Sequence, residues 1–207
     1  MAGEPLRVAV YIDWQNAYKT AREAFGMQAM PNEHGNFSPY QLGRILAAGN
    51  GRGVGGGRLV RVELHRGLPS QKHDLRGYAA NRRQSAAWIN ENPAIVIPRL
   101  RPLRYPRNYP ADPAVEKGID VQLALGAVEW TLTGQCDVAV VFSHDTDLLP
   151  VPEVIARLAG PDHVETASWT SPTFSSRLRP KPEVAHHYIT EKVFQRIETP
   201  VNYAQVP

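Results

Sequence analysis

"LRVAVYID", Leu6 to Asp13, is the stretch whose reading decides the fold. Its first seven residues are apolar and β-branched without strict alternation, the pattern of a short strand buried on both faces. A second run of the same kind, "DVAVVFS" from Asp137 to Ser143, leads into "HDTDLL". Between and beyond these two, "RLVRVELHRG" (Arg58 to Gly67), "AIVIPRL" (Ala94 to Leu100) and "HVETASW" (His163 to Trp169) read as three further strands. Pro98 suggests that the strand carrying it loosens towards its end.

Helical signals fill the intervals. Trp14 to Phe25 follows the first strand, and Ser38 caps a helix with Pro39 at its first position that runs to about Ala48. Further helices are expected over His73 to Asn90, Ala114 to Leu132, from Pro150 and Pro152 to Leu158, and from Val184 to Ile197. Gly160 closes the fifth of these six helices, the one ending at Leu158. The alternation predicts an α/β fold with a mostly parallel five-stranded sheet and helices on both faces. A single domain over residues 1–198 is expected, with a frayed C-terminal tail over 199–207. "GNGRGVGGG" (Gly49 to Gly57) is read as a flexible link. It follows a helix and lacks the Lys-Ser/Thr of a phosphate-binding loop.

Composition narrows the functional classes. At 43% hydrophobic and 21% charged, the 207-residue chain can bury a sizeable core and is unlike a disordered one. No apolar run approaches the ~18 residues of a membrane span. The N-terminus enters a strand with no room for a signal peptide. The single Cys136 has no disulfide or thiolate partner and reads as a small buried hydrophobe. A cytoplasmic protein with no membrane partner is the expectation. The net charge of +3 conceals an asymmetry: from Arg58 to Arg107 stand ten Arg and one Lys against Glu63, Asp74 and Glu91, while the rest carries 12 bases and 17 acids. Such a basic segment is either a polyanion-binding face or a solvated, ion-paired surface.

In an open parallel sheet, ligands gather beyond the carboxyl ends of the strands, at the switch in strand order. Asp13 leaves the first strand at that edge, and Asp145 and Asp147 leave the fourth. Asp120, in "EKGID", comes early in the long helix and reaches the same rim. Each acid has an ordinary reading of its own: Asp13 as a helix cap, Asp145 and Asp147 as turn and cap residues, Asp120 as an exposed partner of Lys117. Their joint placement at one edge is what capping does not require. Carboxylates crowded together stay ionised only beside a cation, or one takes a proton. An oxygen-only donor set suits Mg²⁺ or Mn²⁺, ions able to activate water and stabilise a leaving phosphodiester oxygen.

"VYIDWQN", "EKGIDVQLAL" and "DVAVVFSHDTDLLPVPEVIARLAG", in this order, resemble the NYN domain family, LabA-like relatives of the PIN nucleases. The resemblance runs from about Arg7 to Trp169. It implies a Rossmann-like PIN/NYN fold and a metal-dependent endoribonuclease, a hydrolase leaving 5′-phosphate and 3′-hydroxyl ends. Asp13, Asp120, Asp145 and Asp147 match the family's acidic, metal-binding and catalytic positions. Asn16, Ser143, Lys117 and Gly118 match its flanking motif residues. Three positions depart from the pattern: Trp14 and His144 stand where Gly is usual, and Gly126 where a further acid is common. His144 is weighed as a proton donor or phosphate ligand against an ordinary loop residue.

"PRLRPLRYPRNYP" (Pro98 to Pro110) interleaves Arg99, Arg101, Arg104 and Arg107 with Tyr105 and Tyr109. Guanidinium groups neutralise phosphates and tyrosine rings stack on unpaired bases, so this segment is the candidate guide for RNA with single-stranded or unpaired bases. Arg76, Arg82 and Arg83 are candidates to extend it. His186 and His187, with no third ligand at metal spacing, read as structural or surface groups, and Trp88, Trp130 and Trp169 as core. Beside the nuclease stand a degenerate NYN module that binds RNA or a protein without cutting, motivated by Trp14, His144 and Gly126, and a phosphatase using Asp145 and Asp147. The latter is disfavoured because Ser143 and His144 separate the strand from the first Asp and Leu148 follows the pair.

Overall fold

The computed structural model describes residues 4–49 and 56–205. Its elements follow in the order β1 (Arg7–Asp13), α1 (Trp14–Ala24), α2 (Pro39–Ala47), β2 (Arg58–Leu68), α3 (Leu75–Glu91), β3 (Val96–Pro102), α4 (Ile119–Leu132), β4 (Val138–Phe142), α5 (Pro150–Leu158), β5 (Val164–Thr170), β6 (Ala185–Thr190) and α6 (Glu191–Ile197). The strands form one sheet in the order β3-β2-β1-β4-β5-β6, with every pairing parallel. This is the doubly wound order, reversing between β1 and β4 and opening a crevice at their carboxyl ends.

The central strands lack alternation because both faces are covered. Val8, Val10 and Ile12 pack with Trp14, Leu42, Trp88, Trp169 and Phe194 in one core, formed with α1, α2, α3 and α6. Ala9 and Tyr11 pack with Leu123, Ala127, Val151 and Ile155 of α4 and α5 in the other. Cys136 is buried in this second core.

The sheet has six strands, not the five expected. The sixth, Ala185–Thr190, lies where the sequence suggested the start of the last helix. Its second half alternates, with His187 and Ile189 buried and Tyr188 and Thr190 exposed, and Thr190 then precedes a helix of only seven residues. His186 bridges Thr166 Oγ1 and Ser168 Oγ at 2.8 and 3.0 Å, and His187 Nε2 meets Glu165 Oε2 at 2.5 Å, which makes both histidines structural. Pro98 does not shorten β3: as an edge strand it tolerates the missing N–H.

Two other boundaries differ. The helix expected from Ala114 begins at Ile119, because Val115 makes an antiparallel bridge to Arg104 and Gly118 turns the chain at φ 73°. The tail is tied down rather than frayed as far as it is described: Thr199 N–H donates to Asn36 O at 2.9 Å, and Arg83 Nε donates to Tyr203 O at 2.9 Å. The expected flexible link at Gly49 to Gly57 lies mostly outside the described residues. Among the described residues no helix is long and apolar enough to cross a membrane.

Candidate active site

Asp13 ends β1, is 6% exposed, and caps the helix that follows, the ordinary reading the sequence offered. Its Oδ1 accepts the Asn16 N–H at 3.2 Å and caps α1. Its Oδ2 accepts a long hydrogen bond from Ser143 Oγ at 3.4 Å, across the β1–β4 crevice. Burial pushes this carboxyl up to about 7; the Asn16 N–H opposes the rise, and the nearby charges of Asp120, Glu116 and Asp145 add to it.

The loop after β4 is built by a chain of short-range bonds. Ser143 Oγ accepts the Asp145 N–H at 3.0 Å, and Asp145 Oδ1 accepts the Asp147 N–H at 3.0 Å, capping the single 3₁₀ turn of Thr146–Leu148. His144 N–H donates to Asn16 Oδ1 at 2.8 Å, which locks the loop to α1. Asn16 is therefore a brace between the two acidic strand ends. His144 itself points inward: it is buried, its Nε2 accepts the Trp169 N–H at 3.1 Å, and burial lowers its pKa to about 4. That leaves a neutral imidazole pinning β4 to β5, not a proton donor facing the crevice.

Asp120 lies in the first turn of α4 and its pKa is raised by burial, then by Asp145, Glu116 and Asp147, with His65 opposing. Asp120 and Asp147 share the rim of a cleft between α4 and α5. Thus the four acids named from sequence converge on one rim and act on one another electrostatically. Among the described residues no three potential ligands stand close enough to enclose an ion as they are. Mutually repelling carboxylates have no reason to close further without a cation. The chemistry of the donor set nevertheless suits a hard divalent ion: it is all oxygen and holds one carboxyl whose raised pKa a cation would reverse.

Glu116 is a further acid of this rim that sequence reasoning passed over, although it stands in the quoted "EKGID". It raises both Asp13 and Asp120, and its Oε1 accepts the Gly67 N–H at 2.8 Å. Lys117 makes no ion pair with Asp120 among the described residues; its carbonyl accepts Arg101 Nε at 3.2 Å. Gly118 sets the direction of α4, and a Cβ there would find its nearest neighbour, Arg101 Nη2, at 3.4 Å. Gly118→Ala is therefore expected to lose roughly 1–2 kcal/mol through its φ of 73° rather than through a clash, read as a lower urea midpoint.

Beside the acids, β2 and β3 present a polar face that alternation in "RVELHRG" already encoded. Glu63, 2% exposed, accepts Arg61 Nε at 2.6 Å, Arg99 Nη2 at 3.0 Å and a contact with His65 Nε2 at 3.1 Å. Burial opposes its ionisation, but these partners prevail and hold its pKa down to about 2. Arg61 also lies 3.9 Å from the Trp130 ring centroid, so Trp130 is a partly buried stacking wall rather than deep core, unlike Trp88 and Trp169. A cleft of about 400 Å³ opens here between α4 and the strands, lined by Glu63, Arg99, Arg101, Gln122, Gly126 and Trp130. A Cβ on Gly126 would come within 3.4 Å of Glu63 Oε2. The acid absent from the helix thus has a counterpart on the facing strand, already engaged by cations.

The basic connector is only partly free. Tyr105 stacks on His73 with centroids 4.3 Å apart, meets Tyr109 edge-on at 4.9 Å, and accepts the Ser70 N–H at its hydroxyl. Arg99 is engaged by Glu63, whereas Arg104 and Arg107 are exposed and form no ion pair among the described residues.

A family model described as the NYN domain matches residues 7–160. No curated protein matches the chain. Among solved structures, a protein of unknown function from Vibrio parahaemolyticus is similar, with 18% identity and a TM-score of 0.53, covering 92% of this chain and 96% of that one. At that identity the likeness concerns the fold alone.

Proposed function

The chain belongs to the NYN domain family, a PIN-like nuclease fold, and from that premise we propose that it is a metal-dependent endoribonuclease. The observation carrying this reading is the convergence of Asp13, Asp120, Asp145 and Asp147 at the crevice between β1 and β4, with Asp13 pushed up to about 7. These four carboxylates would hold Mg²⁺ or Mn²⁺, and Glu116 adds negative charge to the same rim. The ion would supply water activation and charge stabilisation at the scissile phosphodiester. Asn16 and Ser143 fix the two acidic strand ends relative to each other. Arg101, Arg104 and Arg107 offer charge for the backbone of an RNA with unpaired bases, with Arg99, Tyr105 and Lys117 as the wall behind them. Residues 1–198 act as one domain in this reading.

A second reading, a module that binds RNA or a protein without cutting, is favoured by one observation: the position of the usual further acid is Gly126, and the carboxylate beside it is neutralised by two arginines. The deciding experiment is cleavage of labelled single-stranded and hairpin RNAs with Mg²⁺, Mn²⁺ or EDTA, with Asp145→Asn run beside the wild type. Metal-dependent cutting lost in the variant is the expected result. RNA binding without cutting under every condition would reject the nuclease.

A further inference from the structure

Arg66 is not accounted for by the catalytic rim. It lies on β2 next to Gly67, whose N–H binds Glu116, but its side chain enters the other layer, beside the packed Trp14 and Trp88 rings at 5.9 and 5.6 Å from their centroids. Nη1 donates to Gln84 Oε1 at 2.6 Å, and Gln84 Nε2 donates to Asn36 Oδ1 at 2.9 Å, so the guanidinium is held in place by a relay of amides. Nε has no partner, and no carboxylate lies within ion-pair distance among the described residues. Burial lowers its pKa to about 10, with Glu116 and Tyr18 opposing from a distance. A half-buried cation without a counter-ion is partly stripped of water, and an anion that enters from solvent supplies the missing partner.

The space in front of Arg66 is an open pocket of about 390 Å³. Its walls carry the amides of Gln15, Asn36, Asn81 and Gln84 and the rings of Tyr18 and Tyr203, and Arg66 is the one charged group among the residues lining it. Asn81 is 2% exposed; its Nδ2 donates to Gly67 O at 2.9 Å, and its Oδ1 is an acceptor left without a partner. One edge of the pocket is formed by Trp14 and Gln15, which directly follow Asp13 in the chain, so the pocket adjoins the catalytic rim. An unpaired cation, an orphaned buried acceptor, amides and aromatic surface form the complement of a phosphate joined to a nucleobase.

We propose that this pocket is a subsite for one ribonucleotide of the RNA strand, its phosphate on Arg66 and its base among the amides and tyrosine rings. The choice of RNA rests on the nuclease reading, but occupancy of the pocket requires neither metal nor cutting. The Trp14 and Trp88 ring centroids lie 5.9 and 5.6 Å from the guanidinium, so tryptophan fluorescence of the full chain in EDTA reports binding.

The probes are AMP, CMP and inorganic phosphate, titrated to about 10 mM. Saturable quenching is expected, with a nucleotide binding at least about tenfold more tightly than phosphate, and Arg66→Met weakening the nucleotide by about tenfold or more. That variant removes a half-buried charge that has no counter-ion and should melt no lower than wild type. Ala80→Phe fills the pocket from α3, leaves Arg66 in place, and should also abolish nucleotide binding. Nucleotide binding unchanged in either folded variant, no response to any probe, or equal affinity for phosphate and nucleotides would overturn the proposal. Failure of wild type to cut RNA, with these titrations positive, would reject the nuclease and leave the subsite standing.

Discussion

Asp13→Asn should abolish RNA cleavage and, in metal-free buffer, make the protein more stable than wild type. A loss of at least about 100-fold in turnover is expected, the scale for removing a charged group that acts on the reacting phosphate. The stability gain follows from the raised pKa. Asp13 is moved from 3.8 to about 7, so near pH 5 to 7 the fold keeps a proton that the unfolded chain has lost. Wild-type stability therefore falls as pH rises from about 4 and levels off above 7. Asn carries no charge, keeps an oxygen for the Asn16 N–H that Asp13 now accepts, and is a good N-cap. The variant should match wild type near pH 4 and exceed it by roughly 2–4 kcal/mol at pH 8 in EDTA. Added Mn²⁺ should raise the melting temperature of wild type and leave the variant unmoved. Melting curves in EDTA that coincide at pH 4.5, 6 and 8 would mean that burial does not hold the Asp13 carboxyl above its usual pKa.

The parallel α/β class was legible because unbroken apolar runs such as "VAVYI" and "VAVVF" require cover on both faces, and parallel connection then sends their ends to one rim. On that ground Asp13, Asp145 and Asp147 are expected at one edge from the sequence alone. Other features were legible only at the level of pairing. β6 is six residues long, and its histidines are satisfied by Glu165, Thr166 and Ser168 on the neighbouring strand, contacts that no local pattern announces. His144 occupies a motif position and suggested chemistry. Its inward rotamer is decided by the Trp169 N–H, 25 residues away. Glu116 was hidden by its own motif, since the Lys-Gly and Asp that follow drew the reading. Glu63 and Arg66 sit two strand positions from Arg61 and Leu64, respectively, and alternation assigns them to opposite faces. Only the assembled sheet and its covering helices show that one is neutralised and the other is not.

Glu63→Ala is expected to be the most destabilising single change at this end of the molecule. It removes the one carboxylate shared by Arg61 and Arg99, whose side chains are 12% and 40% exposed. Arg99 can turn to water, while Arg61 stays beneath Trp130 with its charge unpaired. Breaking one partner of a buried pair costs about 3–5 kcal/mol, and the exposure of Arg99 places this case near 3. For a chain of this size that is a fall of roughly 10 °C in melting temperature. Because the folded pKa of Glu63 is depressed to about 2, its contribution is fully present above the usual 4.5 and lost as pH falls toward 2. The gap between wild type and variant should therefore narrow at acid pH. Gly126 provides the counter-test. A side chain there begins 3.4 Å from Glu63 Oε2, so Gly126→Asp sets a second carboxylate against the first and should destabilise by itself. Combined with Glu63→Ala, the same Asp meets Arg61 and Arg99 without a competitor and should restore part of the lost stability. A coupling of at least about 1 kcal/mol in the double-mutant cycle is expected. Additive effects would mean that the helix acid and the strand acid do not serve the same cations.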